Sequence, residues 1–284
     1  MVARPRRIEV PVAAGTLDAE EAGPADGPLV LLLHGFPQTA SAWDEVVPRL
    51  AAAGLHVVAP AQRGYSPRAR PPAAGNYGIE ALAADAVAVA DHAGASRFSV
   101  VGHDWGGAVA WWLAATAPER IRTVTSLATP HPAAMARVAL RSTQVLRSLY
   151  IPFFRLPVVP ERVLLAGDGR LLARALRSSG LDADRTAAYV EAMQQPGALT
   201  GALNWYRAAS PLALGRVGPV ERPTLYIWGN RDTALGRAAA LATADHVTGP
   251  YRFEELDAPH WLPEVEPERV ARLVGEHLEA HGGD

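Results

Sequence analysis

The stretch Phe98-Ser99-Val100-Val101-Gly102-His103-Asp104-Trp105-Gly106-Gly107-Ala108 decides how this chain folds. A β-rich run enters, a helical run leaves, and a charged residue stands between glycines at the turn. The spacing is that of a G-x-S-x-G elbow with aspartate in the place of serine. A sharp strand-to-helix turn strains its central residue and leaves no room for side chains two positions away on either side. Gly102 and Gly106, with Gly107 behind, meet that demand. The turn also opens a helix, whose first N–H groups favour negative charge on a carboxylate. Taken alone, the segment fits a second reading, in which Asp104 merely caps the helix that begins at Trp105.

Working outward, His34-Gly35-Phe36-Pro37 directly follows the fully apolar run Leu29 to Leu33. A turn there can aim the Phe36 N–H at the same point as the Trp105 N–H, a pair of donors for a developing oxyanion, with Pro37 fixing the loop through a cis bond. Near the other end, Leu225-Tyr226-Ile227-Trp228-Gly229-Asn230-Arg231-Asp232 runs a strand into a turn tipped by an acid. Leu256-Asp257-Ala258-Pro259-His260-Trp261 ends another strand with a histidine. Each alone is an ordinary turn former or a packed residue. Together, Asp104, Asp232 and His260 give the order nucleophile, acid, histidine, each at the C-terminal end of an expected strand.

With these motifs in place, the chain resembles the epoxide hydrolase and haloalkane dehalogenase branch of the α/β-hydrolase superfamily, and is most similar to soluble epoxide hydrolases. The likeness spans nearly the whole chain and rests on His34 to Pro37, Gly102 to Gly107, Asn204-Trp205-Tyr206-Arg207, Gly229 to Asp232 and Ala258 to Trp261. It implies that two cap tyrosines hold an epoxide oxygen; Tyr206 matches one, and Tyr150 is taken as the other. It also implies a pocket formed around Phe36, Trp105, His34 and Pro37. One departure is Ala61 in Pro60-Ala61-Gln62-Arg63-Gly64-Tyr65, where related sequences usually carry an acid; the expected effect is on loop order.

An aspartate is ionised at neutral pH without a base, and its attack on a saturated carbon gives an ordinary ester. His260, oriented by Asp232, can then activate water against that ester. An epoxide oxygen leaves as a strong base and needs an acid, which two phenols supply, whereas a halide needs only cradling donors. The expected activity is therefore epoxide hydrolysis. A haloalkane or haloacid dehalogenase, with Trp105 and Trp205 around the halide, stays open as the alternative, as does a non-catalytic small-molecule receptor.

Strands alternate with helices up to about Leu127 and strand character returns at Thr224 to Trp228, which indicates an α/β fold with a mostly parallel sheet flanked by helices. The strand-free stretch between them reads as several amphipathic helices, including Leu146 to Phe154, Val163 to Leu176, Arg185 to Met193 and Leu199 to Ala208. The expected organisation is a core of residues 1–131 and 219–284 with an inserted helical cap, 132–218. A net charge of −2 with scattered arginines offers no basic stripe for nucleic acid. Zero cysteines exclude disulfides, and the histidines outside the motifs show no ligand spacing, so neither metal nor cofactor is expected. Met1 to Arg7 is basic but leads into Ile8-Glu9-Val10, too short for a signal peptide, and no apolar run reaches the length of a membrane span. A cytoplasmic monomer or homodimer acting on a small hydrophobic epoxide is the expectation.

Overall fold

Eight strands form one sheet in the computed structural model, which describes residues 5–139, 142, 144–215 and 217–282. Met1 to Arg4, part of the basic N-terminal run, lie outside the described residues. In chain order the strands are β1 (Arg6–Val12), β2 (Gly15–Ala22), β3 (Leu29–Leu33), β4 (His56–Pro60), β5 (Phe98–His103), β6 (Ile121–Leu127), β7 (Thr224–Gly229) and β8 (Tyr251–Leu256). Their order across the sheet is β1-β2-β4-β3-β5-β6-β7-β8. The β1–β2 hairpin and the β2–β4 pair are antiparallel, and all the pairings from β4 to β8 are parallel.

All five residues of β3 are buried, because successive side chains enter opposite layers. Leu29, Leu31 and Leu33 join one apolar cluster, and Val30 and Leu32 join the other. The second layer is closed by α1 (Val47–Ala52) and by the last helix, Pro267–His281. The first is closed by α2 (Ile79–His92) and α3 (Trp105–Thr116), and it continues upward into the helices that follow β6.

Those helices are α4 (Pro132–Val138), α5 (Gln144–Arg147), α6 (Tyr150–Phe154), α7 (Val159–Ser178), α8 (Ala183–Gln194), α9 (Ala198–Ala208) and α10 (Pro211–Leu214). After β7 come α11 (Arg237–Ala242), α12 (Leu262–Val265) and α13, the Pro267–His281 helix. Leu164, Leu172, Tyr189, Leu203 and Trp205 share one apolar cluster with Leu31, Val58 and Val100 of the sheet, so the inserted helices do not float on a polar seam.

Three expected helices are shorter than their periodicity suggests. The Ala40 to Ala53 run, whose apolar spacing predicts a single helix, splits into a 3₁₀ turn, Ala40–Trp43, and α1, since Pro48 is tolerated only in a first turn. Leu146 to Phe154 splits into α5 and α6 for the same reason, with Pro152 inside the first turn of α6. The Val163 to Leu176 run is interrupted where Gly167, Asp168 and Gly169 take φ values of 56°, 60° and 76°. Two glycines make that left-handed turn affordable, and apolar spacing on either side conceals it.

Candidate active site

The elbow has the strain its spacing requires. Asp104 sits at φ 51° and ψ −118°, a region that non-glycine residues avoid. A Cβ on Gly102 would lie 2.1 Å from the Gly106 carbonyl oxygen, and one on Gly106 would lie 2.1 Å from that of Leu33. The Thr129 hydroxyl holds the turn by donating to the Asp104 carbonyl at 2.7 Å. The capping reading fails here: the Asp104 side chain makes no capping bond to α3. Its Oδ1 instead accepts the Phe36 N–H at 2.8 Å, from the loop that follows β3. Gly35 permits that approach, since a Cβ there would stand 2.3 Å from the Asp104 Cβ.

The other carboxylate oxygen faces His260. Oδ2 lies 3.7 Å from His260 Nε2, while His260 Nδ1 donates to Asp232 Oδ2 at 2.7 Å. Asp232 is fixed in turn, its Oδ1 accepting the N–H groups of Ala234 at 2.7 Å and Leu235 at 2.9 Å. Burial alone would lower the His260 pKa, but Asp232 and then Asp104 outweigh it and push it up to about 9. Burial raises the Asp104 carboxyl above its ordinary value, against the pull of His260 and of the Phe36 and Trp105 backbone N–H groups. The resting arrangement is thus an imidazolium between two carboxylates, with Asp104 Oδ1 held by the Phe36 N–H.

Tyr150, on α6, and Tyr206, on α9, hang over this group. Their rings meet at 6.1 Å, and Tyr206 also meets Trp105 at 5.1 Å, Phe36 at 5.3 Å and Phe154 at 5.1 Å. Burial raises both phenols above their ordinary pKa, and the charge of Asp104 raises them further. A hydrogen bond from Tyr206 acts the other way on Tyr150, and one from the Trp105 side chain acts the other way on Tyr206. Both phenols stay protonated at neutral pH. A groove of about 810 Å³ between α1 and α13 opens at the far ends of the strands and holds none of these residues.

The alpha/beta hydrolase fold family matches residues 28–267 of this chain. The AB hydrolase superfamily protein YfhM of Bacillus subtilis is 38% identical, over 93% of this chain and 94% of its own length. Epoxide hydrolase A of Mycobacterium tuberculosis is 32% identical, over 91% and 92% of the two chains. The crystal structure of epoxide hydrolase A from Mycobacterium thermoresistibile superposes with a TM-score of 0.81 at 27% identity, covering 98% of this chain and 99% of that one. The chain belongs to the α/β-hydrolase family, in its epoxide hydrolase branch. It is a hydrolase.

Two residues of this α/β-hydrolase do not face the site as the motifs suggested. His34 is fully buried, its Nδ1 against the Gly35 carbonyl at 3.0 Å and its Nε2 accepting the Gln62 N–H at 3.2 Å. Both ring nitrogens brace the loop, burial lowers the pKa to about 4, and neither nitrogen is left for a ligand. Trp205, weighed as a halide donor, gives its N–H to the Arg63 carbonyl at 2.9 Å. Pro37 is as expected, with a cis Phe36–Pro37 bond. The loop bearing Ala61 is ordered by other means: Arg63 takes both oxygens of Asp85 at 2.7 Å.

A buried polar chain behind the hydrolase site escaped the motif reading. Gln38 Oε1 accepts the Gly35 N–H at 2.7 Å and faces His103 Nδ1 at 2.8 Å, while His103 Nε2 faces the His260 carbonyl at 2.9 Å. Both partners of His103 are carbonyl oxygens, so a neutral imidazole can donate to only one of them. Gln38 Nε2 donates to Glu264 Oε1 at 2.7 Å, and the Tyr189 hydroxyl of α8 donates to the same oxygen at 2.7 Å. Gln38 adjoins the Phe36-Pro37 turn and His103 adjoins Asp104, the only cues the sequence carried; Glu264 and Tyr189 had none.

Proposed function

We propose that this hydrolase opens small apolar epoxides to vicinal diols through an ester on Asp104, with residues 132–218 acting as a cap over a core of 1–131 and 219–284. The observation that carries the reading is the unequal treatment of the two Asp104 oxygens beneath a pair of protonated phenols. Oδ1 is held by the Phe36 N–H, and Oδ2 is left on the open side toward His260. Oδ2 is therefore the attacking atom. As it bonds to an epoxide carbon, the C–O bond breaks and the released oxygen takes a proton from Tyr150 or Tyr206.

Esterification removes the charge of Asp104, one of the supports that hold His260 protonated. The imidazolium can then return its proton to the phenolate, which leaves a neutral base at Nε2. His260 next takes a proton from water as the water oxygen adds to the Asp104 Cγ. The charge gathers on Oδ1, which already accepts the Phe36 N–H, with the Trp105 N–H also acting on the Asp104 carboxylate. Collapse releases the second diol oxygen, which takes the proton given up by the new carboxylic acid, and the Asp104–His260 pair is restored.

The epoxide relatives support this substrate class, and so does the fate of the indoles. Trp205 gives its N–H to the Arg63 carbonyl, so the pair of indole donors that a halide would need is incomplete. The test is mass spectrometry of His260→Gln after exposure to a panel of small epoxides. An adduct on the Asp104 peptide is expected, and wild-type turnover in heavy-oxygen water should label that carboxylate. Diol formation with no label in Asp104 would end the ester mechanism.

A further inference from the structure

The described surface keeps almost all of its large exposed apolar side chains in one stretch of the chain. Of nine such residues, eight fall between Val145 and Leu171, with exposures from 38% to 67%; the ninth is Leu241. Singly scattered apolar residues need no explanation, but a concentration of this kind marks a contact surface. Its tip is the turn Leu156-Pro157-Val158-Val159-Pro160. Val158 takes φ 65° and ψ −37°, and the Val159 N–H closes on the Pro157 carbonyl at 2.7 Å. That is a γ-turn of the strained hand, centred on a β-branched residue. The turn is pinned from behind, where Arg207 donates to the Leu156 carbonyl at 2.8 Å and Arg155 donates to the Ala209 carbonyl at 3.0 Å. A strained apolar tip is therefore held outward by α9, and Val163 extends it four residues beyond Val159 along α7.

Charge says what covers it. Residues 144–178 hold six arginines against Glu161 and Asp168, a net +4 in a chain whose total is −2. Glu161 is taken by Arg207. Arg155, Arg162, Arg170, Arg174 and Arg177 are exposed and make no ion pair among the described residues. Elsewhere the arginines commonly meet a carboxylate, as Arg49, Arg68, Arg120, Arg237 and Arg252 do. A second copy would set two such basic faces against each other, which like charge opposes. Exposed aliphatic side chains flanked by unpaired arginines are the composition that binds an anionic lipid surface.

We infer that the tip at Leu156 to Val163, with its flanking arginines, docks on anionic membrane surfaces. An apolar epoxide partitions into the same bilayer, so a docked cap bearing Tyr150 and Tyr206 stands over the substrate reservoir; that consequence alone rests on the proposed function. The experiment is flotation of the full chain with vesicles of phosphatidylcholine, alone or mixed with phosphatidylglycerol. Binding is expected to the mixed vesicles, weakening with salt. Leu156→Asp with Val158→Asp should abolish it, and Arg162→Gln should weaken it about fivefold. Melting temperature and turnover of a water-soluble epoxide should stay unchanged in these variants. Failure to bind either vesicle, or equal binding by the double variant, overturns the inference. So does a concentration-dependent dimer that the double variant dissociates, because the face then belongs to a second copy. Binding is read without turnover, so its failure leaves the proposed function untouched.

Discussion

The two halves of the site are built by different physics. The sheet half, Phe36, Asp104, Asp232 and His260, is set at strand ends by backbone and carboxylate hydrogen bonds of 2.7 to 2.9 Å. The helical half, Tyr150 and Tyr206, is placed by aromatic edges 5 to 6 Å apart, on helices tied to each other by arginines at their margins. Directional bonds fix an atom to a few tenths of an ångström, whereas apolar contacts fix a shape. Under the proposed mechanism, the sheet half suits bond making, which tolerates little misplacement, and the helical half suits proton donation to leaving oxygens whose positions vary with the substrate.

The comparison breaks most sharply at the nucleophile. Asp104→Ala should lower turnover by at least about 10⁴-fold, measured as diol formed. Asp104→Gly should be equally inactive yet about 1 kcal/mol more resistant to denaturant than Asp104→Ala, because only glycine takes the elbow's positive φ without strain. If the glycine variant is the less stable of the two, the elbow holds no strain. His260→Gln should slow diol release by roughly 10² to 10⁴-fold while leaving alkylation intact. Tyr206→Phe should do the reverse, slowing alkylation by about 10²-fold in single-turnover mixing with little change in ester hydrolysis. A variant in which both steps slow alike would show that the helical half is as directional as the sheet half.

Smaller effects refine the picture. His260 is raised in the folded state from 6.5 to about 9. Its contribution to stability is therefore full below about 6.5 and is lost as pH rises through about 9. The melting-temperature advantage of the wild type over His260→Gln should shrink across that window, and an advantage that grew instead would reverse the assigned charge. Ester hydrolysis should rise with pH to a plateau reached below 9, since the alkylated enzyme lacks the Asp104 charge. Smallest is Val158→Gly, which should add under about 1 kcal/mol to stability, because relief of the γ-turn is partly offset by the freedom of glycine in the unfolded chain.

Much of the sheet half was legible from residues alone. β3 has the very limits its apolar run predicts, and Asp104, Asp232 and His260 meet as their order implies. Strand ends are legible because a buried parallel strand must be apolar throughout and must stop at a turn former. His34 was misjudged for a related reason: its place beside Phe36 in sequence concealed that its ring turns inward to Gln62. The break at Ala166 to Gly169 and the splitting of the short helices were hidden because helical spacing survives an interruption of about one turn. Gln38, His103, Glu264 and Tyr189 were invisible as a group, since their mutual distances join positions as far apart as 38 and 264.

The sequence by itself determined the acid at the elbow, its turn, the layer each strand residue enters and the order of the second acid and the histidine, because these follow from local sterics and from a two-residue period. Only the tertiary structure decided which oxygen of Asp104 is free, which indole N–H groups are already spent, and which side chains stand behind His260. Those outcomes depend on hydrogen bonds between segments tens to hundreds of residues apart, and each donor can be satisfied only once the others are in place.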